Sequence, residues 1–485
     1  MSKTLRRSLV MSLAVIFSLT MLEASAFAKK KPKRRSAKAA STKQVTVSVP
    51  AVFAAPVTTQ FARPSNSSAT SSPATFETPS APAAQSARGN DSTKGLGVPT
   101  PHPPSGFLII SEFRVRGPNG ANDEFVELYN NTGADTTIGA SVTDGSGDGF
   151  AVVASDGVVR CVVPDGTVVP NRGHYLCVNS VGYSLASYPA GNGSTATGDA
   201  TYTLDIADNA GIALFNNSVG GPNFSLANRL DAVGSTTEAN TLYKEGTGYP
   251  ALTPFSIDYS FYRDTCGKGG SITTLGACSI STPKDTNNNA ADFIFVDTNG
   301  TSAGAGQRLG APGPENLSSP IQRNSTFPVT LLDTCVASAS PPNRVRDFTS
   351  NPANNSTFGT LDIRRTVTNS TGGNVTRLRW KIIDITTFPA PSGFADLRPR
   401  TSTAVVVTVD RPPCGSGTSN VTVQGTTLEQ PPSQPNGGGF NSSMSSGTVT
   451  LATPLANGAT LDLRFLLGIQ QTGTFKFYVN VEALP

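Results

Sequence analysis

Residues 107–130, FLIISEFRVRGPNGANDEFVELYN, decide the fold. Two apolar runs, 107–113 and 125–129, flank the turn-forming residues Gly117, Pro118, Asn119 and Gly120, which predicts a β-hairpin. In the second run Phe125, Glu127 and Tyr129 share one face and Val126 and Leu128 the other, so one face is expected in a core and the other at least partly wet.

Outward from the hairpin, strand-like runs recur every ten residues or so between Gly, Asn, Pro and Asp, and no amphipathic helical stretch of useful length appears. The chain therefore reads as all-β. Aromatic residues make up 7% and charged residues 14%, closer to secreted β-modules than to a cytosolic enzyme. The part after residue 104, about 380 residues, is too long for one ordinary sandwich and suits two, expected over 105–316 and 321–485.

In the first of these, ISEF, a glycine-containing loop and DEFVELYN resemble the opening of the lamin tail domain, an immunoglobulin-like β-sandwich. Further landmarks follow in the family's order. Residues 168–177, VVPNRGHYLC, are similar to its Pro, Gly, Tyr, Leu strand start; IALF at 212–215 and RLDAVG at 229–234 resemble later strands; SFYR at 260–263 and DTNNNAADF at 285–293 resemble the closing segment of bacterial members. The resemblance covers about 45% of the chain. It implies an Ig-like fold, whereas filament assembly is not carried over, because the chain has cysteine pairs, glycine-rich loops and no preceding coiled coil.

In 321–485, strands are expected at 360–367, 375–385, 404–409, 447–451, 460–467 and 474–481. The last alternates Phe475, Phe477, Val479 and Val481 with Lys476, Tyr478, Asn480 and Glu482, as a half-buried strand should. Trp380 is in phase with Leu378 and Ile382 and reads as core. Residues 429–446 are too rich in Pro and Gly for a strand and read as a long loop. This domain has only a general immunoglobulin- or fibronectin-like character.

Two clusters could carry chemistry. Glu112, Asp123, Glu124 and Glu127 form an acidic group for which Arg114 and Arg116 are natural ion-pair partners. Asp285, Asn287, Asn289 and Asp292 resemble the start of a calcium loop, but Ala290 and Val296 stand where an EF-hand needs Gly and Glu, so an Asn-rich turn is expected and calcium is only the weak alternative. The Gly- and Asp-rich run 144–149 admits the same two readings. His102 and His174 are the sole histidines, no CxxC or G-x-S-x-G occurs, and His174 reads as a turn or edge residue. No catalytic residue and no cofactor are assigned.

Residues 1–28 read as a Sec-type signal: Lys3, Arg6 and Arg7 precede an apolar run at 9–22 and Ala26-Phe27-Ala28. Residues 29–104 read as a disordered Ser/Thr/Ala/Pro-rich linker headed by Lys29, Lys30, Lys31, Lys33, Arg34, Arg35 and Lys38. Taking about +2 for the signal and +7 for this cluster from the net charge of +4 leaves about −5 elsewhere, so the positive balance belongs to the arm. Six cysteines suit an exported chain; their clustering favours Cys161 with Cys177, Cys266 with Cys278 and Cys335 with Cys414 among the pairings open to them.

The expected function is an exported, non-catalytic interaction or adhesion module, secreted, periplasmic or at the cell surface, whose partner is a protein or a cell-surface polymer. The alternative is polyanion binding through the basic arm. A carboxylate metal-dependent hydrolase is the weaker third reading. No transmembrane segment is expected after the signal.

Overall fold

The hairpin read from residues 107–130 is present: β1 (Leu108–Arg114) pairs antiparallel with β2 (Phe125–Asn130), Arg114 facing Phe125 and Leu108 facing Asn130, with a bulge between Ile110 and Glu112. The computed structural model describes residues 106–139, 149–191, 193–252, 257–266, 281–300 and 308–485. All belong to one unit, Ala54–Pro485; a second unit, Met1–Phe53, lies outside them. The expected signal, basic arm and linker, the run 144–148, and Cys278 also lie outside the described residues.

After the hairpin come β3 (Thr136–Thr137), β4 (Phe150–Ala154), β5 (Val159–Val163), β6 (Val168–Val169), β7 (His174–Asn179), β8 (Ala200–Tyr202), β9 (Ile212–Phe215), β10 (Arg229–Val233), β11 (Tyr259–Arg263), a four-residue helix (Asn289–Asp292), β12 (Phe293–Asp297) and β13 (Arg308–Leu309). They build a seven-stranded sheet, β13-β12-β11-β1-β2-β7-β8, facing a four-stranded one, β10-β9-β4-β5. Between the sheets lie Phe113, Val126, Leu128, Phe150, Val152, Leu214, Phe261 and Phe295, the alternate residues that strand periodicity sends inward, together with Tyr249 from a connection. The Cys161–Cys177 disulfide joins β5 to β7, one strand from each sheet.

The second sandwich comprises β14 (Ile321–Gln322), β15 (Val329–Leu331), β16 (Arg344–Asp347), β17 (Thr360–Thr368), β18 (Arg377–Ile385), β19 (Asp396–Arg400), β20 (Val405–Asp410), β21 (Thr418–Val423), β22 (Thr427–Gln430), β23 (Ser443–Ser445), β24 (Thr460–Gln471) and β25 (Phe477–Leu484). One sheet runs β14-β25-β18-β23-β22; the other runs β15-β17-β24-β19, with β16 also on β17 and β20-β21 a separate pair. Trp380 is core with Leu378 and Ile382, as its phase predicts, and its indole N–H donates to Ser446 Oγ at 2.9 Å. Cys335–Cys414 is a disulfide; Cys266 is also disulfide-bonded.

Two expectations are corrected here. Residues 447–451 form turn structure rather than a strand, with Leu451 strongly exposed, and the strand lies just before them: β23 falls inside the stretch read as a loop. Ser-Met-Ser carries little apolar alternation, yet Met444 is opposite Trp380 on β18 and Leu428 on β22, so pairing across the sheet decides the matter.

The second correction concerns faces expected to be wet. All of β2 is buried, as are Asn480 and Glu482 on the polar side of β25 and Lys476 just before it. The outer face of the seven-stranded sheet is covered twice. Leu185, Tyr188, Ala190 and Ala196 pack on Phe125, Leu176 and Val178, while Tyr262, Ile294 and Val296 join the core of the second sandwich. Backbone pairing reinforces the junction: Leu309 N donates to Phe388 O at 2.8 Å and Ala311 N to Phe440 O at 3.0 Å. Gly310 and Gly439 permit this approach, since a Cβ on either would collide with a backbone oxygen of the facing chain.

Candidate site between the sandwiches

Where the two sandwiches meet, charged side chains from both converge on a cavity of about 60 Å³. The bulge in β1 and the β2 pairing place Glu112 opposite Glu127, and the pairing of β2 with β7 puts His174 opposite Tyr129 on the same face. The connection between the sandwiches adds Glu315, and β18 and β25 add Lys381 and Glu482, with Arg379 paired opposite Glu482.

Each carboxylate is spent on named donors. Glu112 accepts from Gly313 N at 2.8 Å and from Asn441 Nδ2 at 2.9 Å. Glu127 accepts from Ser111 Oγ at 2.5 Å and from Glu315 N at 2.7 Å. Arg379 ion-pairs with Glu315 and donates its Nε–H to Glu482 at 2.7 Å, while Lys381 donates to Gly313 O at 3.0 Å. His174 is 7% exposed; its Nε2 faces Glu315 Oε2 at 3.5 Å and Glu127 Oε1 at 3.8 Å, and its Nδ1 is buried without a hydrogen-bond partner.

Burial, and then the charge of Glu112, pushes Glu127 well above the usual carboxylate range. Burial, helped by Lys381 and Arg379, holds His174 well below the ordinary imidazole value, so the ring is neutral. Burial also lowers Lys381. Such a cluster carries internal charge at high electrostatic cost unless every group keeps its partner.

The sequence-predicted residues fare unevenly. Of the acidic hairpin group, only Asp123 takes the expected partner, Arg114, in a buried ion pair; Arg116 turns to Asp208 at 2.9 Å. Glu124 is held instead by Ile206 N at 2.7 Å and Asn179 Nδ2 at 2.9 Å, so cross-strand ion pairing does not account for the group. His174 is an interior residue, not an edge one.

Asp285, Asn287, Asn289 and Asp292 are not brought together as one ligand set. Asn289 bridges Ala232 O, Gly234 N and Glu245 N, Asp292 caps the turn at Thr286, and Asn287 adopts a left-handed conformation at φ 54°. The neighbouring carboxylates already have a cation: Arg263 donates to both oxygens of Asp231 at 2.6–2.7 Å and approaches Asp285 at 3.4 Å and Asp292 at 3.6 Å. The basic arm from Lys29 to Lys38 lies outside the described residues.

Sequence reading missed Glu315, Arg379, Lys381 and Glu482 as site residues. A signal existed in β18, where Arg377, Arg379 and Lys381 alternate with the apolar residues Leu378, Trp380 and Ile382 and so form a basic face. Compared with protein-family models, with curated proteins and with solved structures, the chain matches none. Among the described residues no helix is long and apolar enough to cross a membrane.

Proposed function

We propose that the chain is an exported, non-catalytic interaction module in which two joined sandwiches, the first lamin-tail-like, present a contact surface to a protein or cell-surface polymer. The observation that carries this reading is an aromatic pair at the β16–β17 edge: Phe348 is 79% and Phe358 49% exposed. The two flank one end of that ladder, where Asp347 pairs with Thr360. Arg346 lies over the Phe348 ring at 4.6 Å and donates to Phe358 O. Adjacent exposed aromatics beside a charged edge strand have the composition of a binding anchor rather than of ordinary surface.

The disulfides suit an oxidising compartment, which supports export.

The test is binding to whole producer cells across a salt series. The double substitution Phe348→Ser and Phe358→Ser should weaken binding at least about tenfold, the scale of interfacial aromatic anchors. Deleting residues 29–38 should leave it largely intact. Binding that vanishes with residues 29–38 and falls steeply with salt would instead establish the polyanion reading.

A further inference from the structure

Phe348 and Phe358 stand at the end of an open strand. β15 and β16 both lie on the side of β17 away from β24, and among the described residues no strand other than β17 pairs with β16. Arg364 N donates to Asn343 O at 2.9 Å, so the alternation of an antiparallel ladder sends the backbone groups of Val345 and Asp347 towards β17 and those of Arg344 and Arg346 outward. Ser340 O accepts from Arg344 N at 3.1 Å; the N–H and C=O of Arg346 mark the open edge beyond it, on which a further strand can pair.

The side chains select the occupant. Arg344 and Arg346 lie opposite Ile363 and Leu361, and Arg365 is in phase with both, so three guanidinium groups share one face of the ladder. Burial lowers all three from the ordinary arginine value, the charge of Arg344 lowers Arg365 further, and Asp347 opposes the shift at Arg346. Over β16 and β17 together, Arg344, Arg346, Arg364 and Arg365 outnumber Asp347 and Asp362, a local positive excess on a chain whose charge beyond the signal and basic arm is about −5.

Charges on an edge ordinarily keep strands apart. Here they discriminate: two copies of β16 would set arginine against arginine, whereas carboxylates at alternate positions of an incoming strand would meet Arg344 and Arg346 in charge-assisted hydrogen bonds. Phe348 continues the same alternation just past the end of β16 and supplies an apolar contact. We propose that β16 takes an extended acidic segment of a partner protein as an added strand, with its carboxylates on Arg344 and Arg346 and an apolar side chain on Phe348. This assignment rests on the contact-surface reading, whose aromatic anchor it uses, and adds the partner's chemistry.

The probe is the end-blocked, fluorescein-labelled peptide Thr-Phe-Thr-Glu-Thr-Glu-Thr-Phe-Thr, which reads alike in both directions, titrated with the full chain and followed by fluorescence anisotropy. The native chain should bind it at least about tenfold more tightly than the same peptide with glutamine for glutamate. Arg346→Ala should weaken binding, and Arg346→Pro should weaken it about fivefold further, because proline removes an N–H that points away from β17 and leaves the protein's own ladder intact. Equal affinity for the two peptides, or equal binding by folded Arg346→Ala and Arg346→Pro, would overturn the proposal. So would a dimer of the chain that separates on Arg346→Pro, which would make a second copy the occupant. Whole-cell binding that needs Phe348 and Phe358 but ignores Arg346→Pro would keep the contact surface and remove the added strand; peptide binding that persists while cell binding ignores both phenylalanines would keep the strand site and remove the contact-surface reading.

Discussion

Glu124 shows what a single buried carboxyl does to this protein. It precedes β2, is fully buried, and accepts hydrogen bonds from Ile206 N and Asn179 Nδ2. Burial outweighs both bonds and, with the charge of Asp205 adding to it, pushes the carboxyl from 4.5 up to about 8. A folded-state value above the unfolded one means that the unfolded chain ionises first. Stability is then greatest below about pH 4.5 and is lost as pH rises towards 8, by up to about 1.4 kcal/mol per pH unit from this group. Denaturant midpoints measured at constant ionic strength should therefore fall between pH 5 and 8, and Glu124→Gln should flatten that fall. Equal slopes in the two proteins would assign the effect to other groups.

Among the elements, the Cys161–Cys177 disulfide carries the clearest prediction. It spans 16 residues and links the two sheets of the first sandwich, so replacing both cysteines by alanine should lower the unfolding free energy by about 3 kcal/mol, read by denaturant titration. A loss below about 1 kcal/mol would mean that the sheets are held in register without it. This pairing was legible from cysteine spacing, as were β1 and β2 from their apolar runs, β9 from the resemblance, and β17 and β24 from their strand-like composition. β23 was not, because Ser443, Met444 and Ser445 owe their strand state to β18 and β22 on either side. The candidate site was legible only in fragments. Glu112 and Glu127 stood out as charges and His174 as a histidine, but local periodicity left one hairpin face at least partly wet and His174 at a turn or edge, and nothing in a strand's own sequence announces that a second sandwich will cover it.

At the scale of the whole molecule, the charged junction should make two sandwiches behave as one. Arg379→Ala would leave Glu482 buried without its cation and Glu315 with only Lys381 at 3.8 Å, and the expected cost is about 3–5 kcal/mol in a denaturant titration. Trp380 is the sole tryptophan and lies in the second sandwich, so its fluorescence follows that half while far-ultraviolet circular dichroism follows both. The two signals should change together in the native protein. A fluorescence transition separated from the dichroism would show that the junction does not couple the halves.

The position of β25 has a consequence in time. It pairs with both β14 and β18 and supplies Glu482, yet it is the last strand of its sandwich to leave the ribosome. The ladders of the first sandwich can close long before then, with Glu112, Glu127 and His174 still facing water. A chain that emerges N-terminus first presents that future interior as a polar surface until these eight residues add and convert it into a seam.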